Sequence, residues 1–483
     1  MQILPPVPLL AQAASVSSLL ALLAFGIALL LVLILRFKLQ AFLSLLVASI
    51  AVAIGAAIVG DELTITQIGS TVTNGMGNAL GFIATIIGIG AIFGAILEHS
   101  GGTQSLADSM LKRFGPERAP WAMLLTGFII SIPVFLDVAL VILAPLLYAL
   151  ARDTKKPLLV FGLPLVAGMA VTHAFVPPTP GPVAVGFILG VNLGWVILFG
   201  VLVGLPTAII CGPFLCSRVA KFVDVPLPEH VPQEEITPEA GLPPFSLILT
   251  LIALPIFMIL ANTIVEQVVA AGLPEGLSNS ERKAELARAL TEAPIWQQLI
   301  HFLGHPVIAL LTCTLIAIHF LGTRRGVDRQ TLLEISTRAL GPAGIIILIT
   351  GAGGVFKGVL IATGIADALS EAFSGSGIPV IILAYLFATL VRIAQGSATV
   401  AMLTAAGLMS GFIEGLNAPN LALITVAIAA GATGYSHVND SGFWMISRYF
   451  GMTEAQTLKT WSLISTAISL VAFAIILILS LFI

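Results

Sequence analysis

The stretch VTHAFVPPTPGP, residues 171–182, lies inside an apolar run long enough to cross a bilayer, and no α-helix can run through it. Pro177, Pro178, Pro180 and Pro182 lack a backbone donor, and each pushes the residue before it out of the α region. In hydrocarbon an unsatisfied peptide group costs several kcal/mol, so a break at that depth persists only where protein or a water-filled cavity covers it. Helices broken at mid-membrane are where secondary transporters bind their cargo. A second apolar run is interrupted by GYSHVNDSG, residues 434–442, and there His437 falls 264 residues after His173, at the equivalent point.

The rest of the chain agrees with a membrane setting. Hydrophobic residues make up 58% of the 483 and charged ones 9%, whereas a soluble globule carries roughly a quarter charged. The expected class is an all-α polytopic membrane protein, because a transmembrane barrel would show alternating segments of about ten residues instead. A net charge of -3 decides little, since the placement of Lys and Arg matters more than their sum. Cys211, Cys216 and Cys313 are an odd number in apolar segments, which gives no disulfide framework. Residues 1–18 have no basic n-region, so no cleaved signal is expected.

Basic residues order the spans. Arg36 and Lys38 mark a cytoplasmic turn between spans near 17–35 and 39–59, which makes residues 1–63 a two-span segment with a periplasmic N-terminus. A polar piece at 64–78 and a span at 79–97 open a first repeat, 64–222. Residues 119–151 lie between Arg118 and Arg152; these 33 are too many for one span and too few for two, which need about 40. A re-entrant hairpin with its tip at 131–137 fits that length. The broken helix, 157–192, and a return span follow. Residues 223–245, rich in Pro, Gly and Glu, read as a cytoplasmic linker. Residues 246–326 read as a two-span connection with a periplasmic loop at 272–300, and 327–483 as a second repeat, with a hairpin at 378–414 and a broken helix at 418–450.

The repeat is visible in the letters. GIGAIFGAILEHSG (88–101) and GAGGVFKGVLIATG (351–364) share five identities in fourteen at an offset of 263. Counting crossings predicts ten spans and two hairpins, halves of inverted topology suited to alternating access, and both termini periplasmic.

Polar residues collect at the two tips and the two breaks. The substrate-binding candidates are Ser131, Thr172, His173, Thr179, Arg392, Gln395, Ser397, Thr399, Ser436, Asn439 and Ser441. A hydroxyl at a break can simply satisfy backbone groups that proline frees, but recurrence in both halves points to a ligand. Second hairpin arms beginning near Val134 and Ser397 would aim helix N-termini at an anion. Arg392 is suited to grip a carboxylate bidentately, or else to pair with Asp137 if inverted symmetry brings the tips together. Asp137, the only acid in its 33 residues, joins His173, His437 and Asp440 as proton-coupling candidates. Lys357, mid-span, is expected to pair with a carboxylate or to snorkel. His301 and His305 lack the glutamate of HExxH, and no metal site is expected. Ser436 beside His437 has no third group, so no enzyme is expected.

The motifs THAFVPPTPGP, RIAQGSATVAM and GYSHVNDSGFW resemble the gluconate permease family of bacterial gluconate:proton symporters, along the whole chain. The resemblance implies gluconate or another small sugar acid as substrate, the proton gradient as driving force with no cofactor, and the bacterial inner membrane as location. The repeat of hairpin and broken helix is similar to that of the wider ion transporter superfamily, including divalent-anion:sodium symporters. That likeness implies an elevator-like motion of a transport unit against a scaffold, and a homodimer. Ser131 with Asp137, and Ser397 with Thr399, sit where that group keeps Ser-Asn-Thr tips; the Asn is missing at both, which sets sodium coupling in question without removing it. A small anion and the lipid bilayer are the expected partners, and nucleic acid is not. Two rivals stay open: a cation/proton exchanger, and a sodium-coupled carboxylate symporter of the same superfamily.

Overall fold

The computed structural model describes residues 15–60, 63–221, 223, 225, 241–274, 279–374, 377–413 and 415–483; most of the expected linker, 223–245, lies outside them, as does Glu414 at the end of the expected hairpin. Among the described residues the chain is helical and has no strand. Helices α1 (Val16–Leu35) and α2 (Ala41–Val59) form an antiparallel pair, Gly26 against Val52 and Gly55 against Leu22. The first half continues through α3 (Ile65–His99), α4 (Gly102–Phe114), the hairpin arms α5 (Ala119–Ile130) and α6 (Leu136–Thr154), the broken helix α7 (Leu159–Phe175) and α8 (Pro180–Leu189), and α9 (Leu193–Ile209). The last passes through a π turn, Ile210–Cys216, into α10 (Ser217–Val219). A connection follows: α11 (Phe245–Ala270), α12 (Asn279–Glu292), α13 (Ile295–Gly304) and α14 (Pro306–Ala317). The second half runs α15 (Arg329–Ala362), α16 (Ile365–Ser374), α17 (Val380–Gln395), α18 (Ala398–Leu408), α19 (Ala418–Thr433), α20 (Ser441–Tyr449), α21 (Glu454–Thr457), a π turn at Leu458–Ser462, and α22 (Leu463–Leu479). Its order of long helix, short helix, two arms, two broken pieces and a final helix with a π turn repeats that of the first half.

Two expectations need correction. The polar residues 64–78 are no separate piece, since α3 is one helix of 35 residues, about 52 Å long. Its hydroxyls do not compete with the helix: Thr71 Oγ1 donates to Gln67 O and Thr73 Oγ1 to Gly69 O, while Gln67 Oε1 accepts from Thr64 N at the start. Second, nine helices among the described residues are long and apolar enough to span a membrane, where ten spans were expected. The run 418–450 is the one that falls short, because residues 434–440 are not helical and leave α19 with 16 residues and α20 with 9.

Lipid tails are as apolar as Leu, so these helices associate by close packing rather than by escape from water. Gly127 and Gly168 bring α5 and α7 backbone to backbone, and α3 lies along α15 with Gly75 against Gly354 and Val355. The halves also interlock. The second hairpin arm of each packs on the second broken piece of the other: α18 on α8, with Met402 over Gly181, and α6 on α20, with Tyr148 donating its hydroxyl to Tyr449 O.

Candidate functional site

Arg392 occupies the last turn of α17 and is 4% exposed. Its Nε donates to Gly434 O at 3.1 Å, and its Nη2 donates to Asp440 Oδ2 at 2.6 Å. Arg392 therefore pairs with an acid of its own half, and the pairing with Asp137 expected from symmetry does not occur. The reason is local: α17 packs along α19, which sets the hairpin tip against the break that follows α19. Asp440 is also the N-cap of α20, its Oδ1 accepting from Gly442 N at 3.0 Å. Ser436 Oγ donates to Asp440 Oδ2 at 2.5 Å and accepts from Trp461 Nε1 at 2.8 Å. Arg392 Nη1 is buried without a partner.

The break itself is held by the final helix. Tyr435 takes a left-handed conformation, φ 56°, which disfavours a side chain by about 1–3 kcal/mol and persists only where the surroundings enforce it. They do so here, because Tyr435 N donates to Thr466 Oγ1 and Ser436 N to Ser465 Oγ, each at 3.3 Å. Hydroxyls of α22 replace the carbonyls that a continuous helix would supply. At the tip, Gly396 has φ 87°, and a Cβ there would meet Asn439 O at 2.3 Å, so tip and break touch through backbone. Gln395 Nε2 donates to Ser397 O, and Ser397 Oγ accepts from Val400 N as the N-cap of α18. Thr399 is half-buried in the first turn of α18. Asn439 Nδ2 donates to Ile393 O, which also lies 3.1 Å from His437 Nε2; Asn439 Oδ1 is buried and unpartnered. Ser441 and Val438 are exposed, so this break opens to one side.

The first half differs in character. Its break, between Phe175 and Pro180, contains the cis Pro177–Pro178 peptide and is closed off by α9, where a Cβ on Gly200 would come within 2.1 Å of Phe175 O. Thr172 Oγ1 donates to Phe128 O and Thr179 Oγ1 to Val176 O, each at 2.7 Å, so both hydroxyl protons are committed to backbone. Ser131 Oγ and His173 Nδ1 are buried with no partner, as is Thr126 Oγ1 on the first hairpin arm. Asp137 is exposed in the first turn of α6, where its charge complements the helix dipole. It lies within electrostatic range of Glu98 on α3 and of His173 on α7. A small cleft of about 20 Å³, room for a water molecule or two, lies between α3, the tip residues 132–135 and Pro178, Thr179 and Pro180.

Two features escaped the sequence reading. Glu98 is the acid at the end of an otherwise apolar repeat motif. Trp461 and the hydroxyls Ser465, Thr466 and Ser469 form a stripe at helical spacing in the last span, a pattern that was there to be read. Lys357, expected to pair with a carboxylate or to snorkel, donates from Nζ to Ile188 O at the end of α8, a helix C-terminus. Outside the site, His301 Nδ1 sits 2.8 Å from Asn262 Oδ1.

Among the described residues, nine span-length segments, the interrupted α7–α8 being one, together with two short-armed hairpins and a second interrupted helix, define a multi-pass membrane transporter with unpartnered polar groups at its breaks. The chain belongs to the GntP family of permeases, whose profile, GntP family permease, matches residues 18–482. It is similar to the low-affinity gluconate transporter of Escherichia coli, 38% identical over 92% of this chain and 94% of that one. It is also similar to the Gnt-II system L-idonate transporter of Escherichia coli, 33% identical over 93% of this chain and 96% of that one. Its fold is like that of Neisseria gonorrhoeae MtrF, with a TM-score of 0.64 over 90% of this chain and 94% of that one at 14% identity. These relatives are named as transporters, and the chain is a permease rather than an enzyme.

Proposed function

We propose that this permease carries gluconate or a related small sugar acid into the cell by proton symport across the bacterial inner membrane. The observation that carries the substrate chemistry is the guanidinium of Arg392, 4% exposed with its Nη1 edge unpartnered beside an open break. A buried donor left empty costs about 1–3 kcal/mol, and a carboxylate fills it. The names of the relatives supply the hydroxylated acid. Asn439 Oδ1, unpartnered at the same break as the Arg392 guanidinium, is the best placed of the candidates to read a substrate hydroxyl. Thr172 and Thr179 spend their hydroxyl hydrogens on backbone carbonyls and hold the first break rather than the substrate. Proton carriers come from Asp137 and His173, grouped with Glu98, and from Asp440 and His437.

The reciprocal packing of α18 on α8 and α6 on α20 supports an inverted repeat, 64–222 and 327–483. On that build the hairpins and broken helices move together in an elevator-like step within a homodimer, and both termini are periplasmic. Energetics leave the coupling number to experiment: a monoanion with one proton ignores the membrane potential, and a second proton would draw about 2.3 kcal/mol per 100 mV. Labelled gluconate uptake into proteoliposomes, under a pH gradient with and without an imposed potential, tests the reading. Accumulation should follow the pH gradient. Uptake that follows sodium and ignores protons would overturn the coupling, and no uptake of any sugar acid would overturn the substrate class.

A further inference from the structure

We propose that Asp440 carries the symported proton, because it shares one buried guanidinium, Arg392, with the substrate carboxylate. The inference rests on the substrate reading above. In the structure the two charges cancel: Arg392 Nη2 and Asp440 Oδ2 are 2.6 Å apart, with side chains 4% and 13% exposed. The free edge of the guanidinium is Nη1. A substrate carboxylate laid end-on across Nη1 and Nη2 comes to rest beside Asp440 Oδ2. Two anions then face one buried cation, and a buried charge without a partner is removed by taking up a proton.

The neighbours of Asp440 are arranged for that proton. Ser436 Oγ, 2.5 Å from Oδ2, now donates to the carboxylate. A hydroxyl has one proton and two lone pairs, and Trp461 Nε1, a donor only, occupies one of those lone pairs. The second lone pair is open. Once Asp440 is protonated, the same short contact reverses with no heavy atom moving: the carboxylic acid donates to Ser436, and the Ser436 proton turns toward a substrate hydroxyl. Trp461 and Ser436 are thus positioning residues for the Asp440 proton. The other titratable groups at this corner are engaged elsewhere. His437 Nε2 lies on Ile393 O, Tyr385 is bonded to Ser469, and Tyr435 faces Tyr385. Among the described residues, none of them forms an ion pair with Arg392. The proton enters from the side of substrate entry, binds Asp440 as the carboxylate binds Arg392, and leaves when the substrate does, which restores the pair.

Calorimetric titration of the purified full-length protein with gluconate, in two buffers of different ionisation enthalpy, reads the protons taken up per ligand. Wild type should take up one. Asp440→Asn should bind gluconate with no proton uptake and an affinity independent of pH. In proteoliposomes it should exchange labelled for unlabelled gluconate without accumulating it under a pH gradient. Undiminished proton uptake by Asp440→Asn overturns the proposal. Wild type that binds no sugar acid overturns the substrate reading itself, a different result. If Asp440→Asn fails to fold, Ser436→Ala decides: it keeps both charges and removes the acceptor for the proton. Its gluconate affinity should weaken about fivefold near neutral pH with a pH profile displaced from that of wild type, and an unchanged pH profile overturns the proposal.

Discussion

A single guanidinium has three faces, and in this protein each has a different fate. Nε of Arg392 holds the backbone of the break through Gly434 O, Nη2 holds Asp440, and Nη1 is open. Removing one member of a buried ion pair strands the other, at about 3–5 kcal/mol. Arg392→Ala should therefore lower thermal stability as well as abolish gluconate binding, and Arg392→Ala with Asp440→Ala should recover part of the stability and none of the binding. Thr172→Val offers the contrast. Its hydroxyl joins α7 to Phe128 O on α5 and should cost about 1 kcal/mol in denaturation, with KM for gluconate unchanged. At this scale the sequence identified the exceptional residues and misjudged their pairing. A charge in an apolar run is conspicuous from composition alone. That Arg392 meets Asp440, 48 residues on, rather than Asp137 follows from the packing of α17 on α19, which no local pattern encodes.

Elements were legible where breaks and caps are chemical. Prolines end α7 before Pro177, and the glycine and Asn-Asp chemistry of 434–442 ends α19, as read. Residues 64–78 were set apart from the span at 79–97 because of their polarity, whereas threonines that bond back to their own helix allow one helix to run through both. What sustains the second break lies on another element. Ser465→Ala with Thr466→Val should unseat the N–H groups of Tyr435 and Ser436, costing about 1–3 kcal/mol each, and native-state hydrogen exchange should show the loss at residues 434–440 first. At the other end of the second half, Asp328 caps α15 through Gln330 N and Thr331 N. Its hydrogen bonds from Thr331 hold the carboxyl below the ordinary Asp value. A depressed folded-state value means that the cap contributes fully at and above the ordinary value and is lost as pH falls through the depressed one. The melting-temperature difference between wild type and Asp328→Ala should thus be constant around neutrality and shrink in strong acid.

For the whole molecule, the interlocking of α8 with α18 and of α6 with α20 makes the two halves one unit around the breaks. Lys357 on α15 reaches Ile188 O at the end of α8 and so joins that unit to the long helix beside it. If the proposed elevator step moves α8 past α15, a short bifunctional cross-link between Lys357→Cys and Ile188→Cys should arrest gluconate uptake while leaving binding intact. Uptake that survives complete cross-linking would show that these helices travel together. The chain by itself determined the membrane setting, the recurrence of its motifs, the places where helices must stop and the set of polar residues gathered there. Those properties depend on hydropathy, proline and glycine chemistry and repetition, all of which act over a few turns of helix. Tertiary structure alone decided which acid neutralises Arg392, which break is sealed by Gly200 and which is braced by the hydroxyls of α22, and where Lys357 points. These are contacts between segments tens to hundreds of residues apart, selected by how closely whole helices can approach.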